Sequence, residues 1–246
     1  MQNATIELLL NHRSIRKFKK QPLTDDQINL LVACAQAAST SSFTQSYSII
    51  GVEDPSIKKQ LSEISDQPYV DENGYFFVFV ADQYRNKTIG DQNGADTAVL
   101  DTTQRLIVAL GDAAFAAQNM AVAAESMGLG ICYIGSIQRD IDRTAKLLKL
   151  PEYTFPVFGL AVGYPDQRPE KKPRLPRTSI FHKNQYNAES RNEELNEYDR
   201  RIEEYYHTRS GGQRKETWTG QITRGLGLPA RMALKPFLEK QHLGRR

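Results

Sequence analysis

The residues of this chain whose types could do chemistry are cations and hydroxyls gathered in five short clusters. The first is His12-Arg13-Ser14-Ile15-Arg16. Two guanidinium forks and a hydroxyl suit a phosphate, whose oxygens they match in geometry and charge. They suit equally a solvated basic loop after a helix, where cations are favoured. The second cluster, Ser39-Thr40-Ser41-Ser42-Phe43-Thr44-Gln45, offers neutral hydrogen-bonding groups to a polar heterocycle, or simply ends a helix. The third, Cys132-Tyr133-Ile134-Gly135-Ser136, puts a glycine at a strand end, where a ligand can approach backbone N–H groups or the chain can merely turn. The fourth, Lys171-Lys172-Pro173-Arg174-Leu175-Pro176-Arg177, holds cations on a chain stiffened by proline, or is a soluble linker. In the fifth, Arg209, Arg214 and Lys215 surround Gly211 and Gly212, as a phosphate clamp or a flexible loop.

Other chemistries find no support. There is no Walker phosphate loop and no G-x-S-x-G elbow. Gly128-Leu129-Gly130 fails as a dinucleotide fingerprint, because it leaves a helix for a strand and Tyr133 stands at the third glycine position. Cys34 and Cys132 form no metal or redox pair and read as buried, reduced thiols of a cytosolic protein. The four histidines lack helical metal spacing. Taken together the clusters suggest a phosphorylated ligand, with a polyanion surface as the rival. The 246 residues carry a net charge of only +3, and no aromatics interleave the cations, which weighs against nucleic acid. Apolar content of 39% at this low charge describes an ordered globular chain. No run of 18 apolar residues occurs and the N-terminus lacks the order of an export signal, so neither membrane span nor signal peptide is expected.

The elements that must position these clusters follow from periodicity and punctuation. A short helix is expected over Thr5–Asn11. Thr24 with Gln27 forms a capping box that starts the next, which should stop in Ser39–Ser42. Tyr47–Glu53 reads as a strand, followed by a helix capped by Asp54 with Pro55 at its first position. Tyr75–Ala81 is apolar on both faces, as in a covered sheet. Arg85–Asp96 reads as a loop. A long small-sided helix over 98–127, ended by Gly128 and Gly130, must be packed on several sides, at the centre of the fold or a dimer interface. Strands at Ile131–Ile134 and Val157–Val162 flank a helix over Asp140–Leu150. Tyr164–Pro176 should run extended. Helices are expected over Asn192–His207 and from Thr217 onward, interrupted near Pro229. The sum is an α+β chain with one mixed sheet covered by helices, and a C-terminal third that wraps the core or a second subunit.

His12-Arg13-Ser14-Ile15-Arg16-Lys17-Phe18, the hydroxyl run to Gln45, Tyr133-Ile134-Gly135 and Lys172-Pro173-Arg174-Leu175-Pro176 occur in this order along the chain. With Tyr205-Tyr206-His207-Thr208-Arg209 and Arg214-Lys215-Glu216-Thr217-Trp218, they resemble the oxygen-insensitive NADPH nitroreductase and flavin reductase family, over essentially the whole length. The resemblance implies one nitroreductase-like domain over 1–246, with a core of about 1–165 and an extension of about 166–246 that embraces a partner in a homodimer. It implies bound FMN at the subunit interface and NADPH as co-substrate. His12, Arg13, Ser14 and Arg16 would hold the phosphate and ribityl end. Thr40, Ser42 and Gln67 would serve the polar side, Tyr133, Ile134, Gly135 and Ser136 would lie near ring and phosphate, and Lys172 and Arg174 would complete the site. Arg209 and Arg214, assisted by Lys215, would hold the NADPH 2′-phosphate. Thr40 replaces a common serine, and Ser136 replaces a common second glycine. The implied reaction is a ping-pong two-electron reduction of nitroaromatics, quinones or free flavin, with hydride carried at flavin N5, no catalytic side chain and no metal. The alternatives are a flavin reductase supplying reduced FMN to a partner and, more remotely, a polyanion-binding protein.

Overall fold

Caps written in the sequence set the first helices of the computed structural model, which describes residues 3–189, 192–229 and 231–246. Helix α1 (Ala4–Leu10) begins where Asn3 accepts the Ile6 N–H. Helix α2 (Asp25–Gln36) opens with the expected capping box: Thr24 Oγ1 accepts the Gln27 N–H at 3.3 Å, and Gln27 Oε1 accepts the Thr24 N–H at 3.0 Å. Strand β1 (Tyr47–Val52) leads to α3 (Pro55–Ser65), whose first turn is satisfied by Asp54.

Strands β1, β2 (Tyr75–Asp82), β3 (Gly130–Ile134) and β4 (Thr154–Gly163) form one sheet in the order β1-β2-β4-β3. The α+β class is as expected, but the sheet is not mixed: each pairing is antiparallel. Helices do separate strands along the chain, yet a helix plus a return loop also reaches an antiparallel neighbour. Every residue of β2 is buried, which is why it reads as continuous apolar sequence. Its Phe76, Phe77 and Phe79 are fully buried, each worth about 1.5–3 kcal/mol of transfer free energy. Phe77 and Phe79 pack toward α2 and the long helix described next, while Phe76 and Val78 pack with Leu61 of α3 on the other face.

Helix α4 (Tyr84–Gln92) occupies the stretch expected to be a loop. It buries no residue, so it has no apolar stripe to show; local bonds such as Lys87–Asp91 support it instead. The long helix begins later than its pattern. Ala98–Asp101 is a 3₁₀ turn, and Thr102 then caps α5 (Thr103–Ser126) through the Arg105 N–H. Gly128, at φ +75°, ends it, while Gly130 already lies in β3. By length and hydropathy α5 could cross a membrane. Its alanines 109, 113, 116, 117 and 124 are instead buried, and its hydropathy is that of a core helix packed on a sheet.

Helix α6 (Ile141–Leu147) is shorter than the expected span, because Lys149 turns left-handed ahead of Pro151. Helices α7 (Asn192–Arg209) and α8 (Trp218–Leu226) follow the extended segment, and α9 (Leu234–Lys240) comes last. The chain divides into two compact units, Met1–Arg168 with Arg231–Arg246, and Pro169–Ala230. In the first, Phe237 of α9 packs on Phe155, and Arg245 donates its backbone N–H to Asp101. In the second, Tyr198, Ile202, Tyr205 and Tyr206 of α7 form the core with Leu175 and Trp218.

Candidate active site

The basic loop after α1 is laid along the free edge of β3. Ile15 is its anchor: its N–H donates to Ile131 O at 2.9 Å, and its buried side chain rests against Gly130, where any Cβ would come within 2.6 Å of it. Further on, Lys19 N donates to Tyr164 O at 2.8 Å and Asp166 N donates to Lys17 O at 2.9 Å. With Ile15 fixed, the polar residues on either side diverge. His12 turns toward the end of α5, where its Nδ1 lies 2.9 Å from Glu125 Oε1. Arg13 donates Nε to Asn11 O at 3.1 Å. Arg16 is exposed and lies beside Tyr69 and Cys132, lowering both acidities' pKa against the larger upward effect of burial. Ser14 lies between the two arginines, half-buried.

Strand β3 ends in the third cluster. Tyr133 stacks edge-on against Phe158 with ring centres 5.3 Å apart, and its hydroxyl donates to Gln118 Oε1 at 3.3 Å. Burial first, and then the Glu125 carboxylate, push its pKa up to about 12, so the phenol stays protonated. Ile134 turns its side chain into the core, leaving only its backbone for a ligand. Gly135 is exposed, with open space where a Cβ would sit: among the described residues nothing beyond its chain neighbours comes within 4 Å, and Ser136 follows it half-buried. Arg231 donates Nη1 to Gly135 O at 2.9 Å, a cation that the sequence clusters did not include.

Gln67 begins the 3₁₀ turn Pro68–Val70, two residues before Tyr69, and its side chain makes no capping bond. Thr40 and Ser42 stand elsewhere. Their segment is tied to Asp112 of α5 through the N–H groups of Ser41 and Ser46, each at 3.0 Å. Ser42 is at φ +50° and exposed. Asp112 and Glu125 sit 13 residues apart in one helix, which at about 1.5 Å per residue separates them by about 20 Å. Thus the chain's own fold does not bring Thr40 and Ser42 to His12.

The remaining cations belong to the second unit. Lys172 donates Nζ to the Tyr206 hydroxyl at 2.7 Å, and Arg174 donates Nη1 to Lys172 O at 2.9 Å. Arg214 lies over the Tyr206 ring at 3.8 Å, so Lys172 and Arg214 share one aromatic platform. Arg209 donates to the Tyr205 hydroxyl at 2.9 Å. Arg214 and Arg224 both pair with Glu216, and the hydrogen bond from Arg214 chiefly holds that carboxyl below the usual glutamate range. Lys215 is exposed.

Sequence reasoning missed Glu125, Tyr69, Asp112 and Arg231. None lies in a cluster of its own kind; Glu125 and Asp112 had a faint signal as acids within an otherwise alanine-rich helix.

In this α+β chain arginines flank a fixed hydrophobic anchor beside an open glycine at the adjoining strand end, and at the other end of α5 the buried Thr40 hydroxyl has no hydrogen-bond partner among the described residues. Residues 9–164 match the nitroreductase family, and residues 172–246 match the C-terminal domain of that family. The chain belongs to the nitroreductase family. It is 48% identical over 243 residues to FMN reductase (NADPH) of Bacillus subtilis, covering 97% of this chain and 98% of that one. The solved structure of NfrA1 nitroreductase from B. subtilis superposes with a TM-score of 0.96 at 47% identity, covering 98% of this chain and all of the other. The NADPH:FMN oxidoreductase of Vibrio harveyi complexed with NAD+ gives a TM-score of 0.91 at 37% identity, covering 99% and 100%.

Proposed function

We propose that this chain is an FMN-dependent NADPH oxidoreductase that works as a homodimer. The observation that carries the reading is the His12–Arg16 loop, tied to β3 beside the open Gly135, in a chain 48% identical to an enzyme named FMN reductase (NADPH). FMN, when bound, supplies two-electron chemistry, taking a hydride equivalent from NADPH and passing electrons to a nitroaromatic, a quinone or free flavin. Arg13, Ser14 and Arg16 grip the phosphate with charge-assisted bonds. His12 joins them with its ring oriented by Glu125. The backbone at Ile134, Gly135 and Ser136 approaches the cofactor closely, and Tyr133 flanks it with a neutral phenol. Gln67 offers its amide to the ring's polar edge. Lys172 and Arg174 of the second unit are the cations proposed to supply positive charge to the flavin. Arg209 and Arg214, with Lys215, select the NADPH 2′-phosphate.

Thr40 and Ser42 serve the same cofactor from the partner subunit. The separation along α5 supports this. A twofold axis crossing α5 midway between Asp112 and Glu125 brings the Thr40 end of one copy to the His12 end of the other. Ile107 and Phe115, 63% and 59% exposed on that helix, are apolar surface for such a pairing. The C-terminal extension embraces the partner. The two free cysteines, Cys34 and Cys132, fit a cytoplasmic protein. The name FMN reductase borne by the B. subtilis relative favours free flavin among the acceptors, so supply of reduced FMN to a second protein is the alternative role.

The test is a visible spectrum of the purified protein, followed by NADPH addition under nitrogen. Flavin absorption that bleaches supports the reading. A colourless protein that FMN does not reconstitute sinks it and brings the polyanion reading forward.

A further inference from the structure

Asp112 is 1% exposed in α5, with the buried Ala109 and Ala116 one turn away on either side. A carboxylate in that position is costly unless its oxygens are hydrogen-bonded. Its oxygens are divided between the two ends of one arc: Oδ1 accepts the Ser41 N–H and Oδ2 accepts the Ser46 N–H, both at 3.0 Å.

The arc between them is strained. Ser42, Phe43 and Gln45 lie at φ +50°, +56° and +48°, a region that side chains other than glycine's seldom adopt, and the arc contains no glycine. Between its ends it has no buried side chain: Ser46 is 1% exposed, but Phe43, at the tip, is 81% exposed and Ser42 and Gln45 are exposed as well. Its internal bonds, Thr44 N to Ser41 O and Thr44 Oγ1 to Ser41 O, close the turn without tying it to the core. The other ties reach only its C-terminal end: Arg85 donates to Gln45 O, Asn86 to Ser46 Oγ, and the Asp82 N–H to Ser46 O at 3.0 Å, which leaves Asp112 as the carboxylate that also holds the Ser41 end. Immediately before the arc stands Thr40, whose hydroxyl is buried without a hydrogen-bond partner among the described residues. Such strain is typically kept where the surroundings over-determine it, and such places cluster at binding sites.

We infer that Asp112 is a positioning residue for FMN: its carboxylate holds the Ser41–Ser46 arc in its left-handed form before the cofactor arrives, and so fixes where Thr40 and Ser42 present their hydroxyls. The inference rests on the reading of Thr40 and Ser42 as cofactor contacts. Asp112 itself lies behind the arc and acts through it. The carboxylate is specifically required. An asparagine of the same shape keeps one acceptor and turns an N–H₂ against a second backbone N–H.

The experiment titrates wild-type and Asp112→Asn apoprotein with FMN, following flavin fluorescence, and times chymotrypsin cleavage after Phe43. The expected result is an FMN Kd weakened at least tenfold and cleavage at least tenfold faster, with far-UV circular dichroism and elution volume unchanged. Wild-type protein that takes up no FMN overturns the flavin reading and the inference with it. Uptake by wild type with a variant Kd within twofold overturns the inference alone, even if thermal stability falls. Should the variant not fold, hydrogen exchange on wild-type apoprotein decides. Ser41 and Ser46 amides already protected without FMN support preorganisation by Asp112; amides protected only after FMN is added overturn it.

Discussion

His12 Nδ1 lies 2.9 Å from Glu125 Oε1, joining the start of the basic loop to the last turn of α5 across 113 residues of sequence. The pair commits one ring nitrogen to the protein and leaves Nε2 for a ligand. Glu125 sits one turn from Gly128, whose left-handed turn sends the chain into β3, so a single helix end orients both the loop and the strand it lies on. Glu125→Ala should weaken FMN binding by about 1 kcal/mol, roughly fivefold, the net worth of one such hydrogen bond. Calorimetric titration of apoprotein measures it; an unchanged Kd removes Glu125 from the site.

Arg13 and Arg16 flank the buried Ile15, so replacing either leaves the loop's anchor intact. Arg16→Ala should cost FMN about 1.5–3 kcal/mol while leaving riboflavin, which lacks the phosphate, almost unaffected. Equal losses for both flavins would mean that the arginine supports the ring or the fold and does not read the phosphate.

In the second unit Arg209 is oriented by the Tyr205 hydroxyl, and Glu216 already neutralises part of Arg214. Arg209→Ala should therefore raise the KM for NADPH at least tenfold more than that for NADH, consistent with a loss of about 1.5–3 kcal/mol of charge-assisted bonding. Steady-state rates with both coenzymes settle it, and parallel changes exclude a 2′-phosphate clamp there.

Glu216 also makes an acid-pH prediction. Hydrogen bonding from Arg214, with Arg224 beside it, lowers its pKa below the ordinary 4.5. A lowered folded-state pKa means that the unfolded chain takes up the proton first. The stabilisation is thus complete above pH 4.5 and is lost as pH falls through the folded value. Trp218, the chain's single tryptophan, lies two residues away and reports on it. Its emission should change with a midpoint below pH 4.5, and that step should vanish in Glu216→Gln.

Phe115→Asp tests the proposed homodimer, in which Thr40 and Ser42 of one subunit meet the His12 loop of the other. A charge on that apolar face of α5 should convert the protein to a monomer on size exclusion. It should also abolish FMN retention, because Thr40 and Ser42 would no longer meet the His12 loop. A flavin-loaded monomer would show that one chain completes the site.

What was legible in the sequence was local. Thr24 with Gln27, Asp54 with Pro55 and the β2 run each declare their element, because caps and short periodicities act over a few residues. The cationic and hydroxyl clusters were legible for the same reason: their members are neighbours in the chain. Helix α4 was not, since a helix without a buried face has no stripe to read. The antiparallel direction of the sheet was not either, because strand direction depends on loops and layers and not on the strand's own residues.

Tertiary structure alone chose the partners. Glu125 for His12, Asp112 for Ser41 and Ser46, and Arg231 for Gly135 lie 113, 71, 66 and 96 residues apart. An acid in an alanine-rich helix shows no mark of the amide or imidazole it will meet, since that depends on which face the sheet leaves open. The sequence by itself determined which groups this protein has for binding an anionic cofactor. Only the packing of α5 against the sheet decided which of them one chain gathers at β3 and which it sets about 20 Å along the helix, where hydrogen bonds and burial, acting across long sequence separations, hold them.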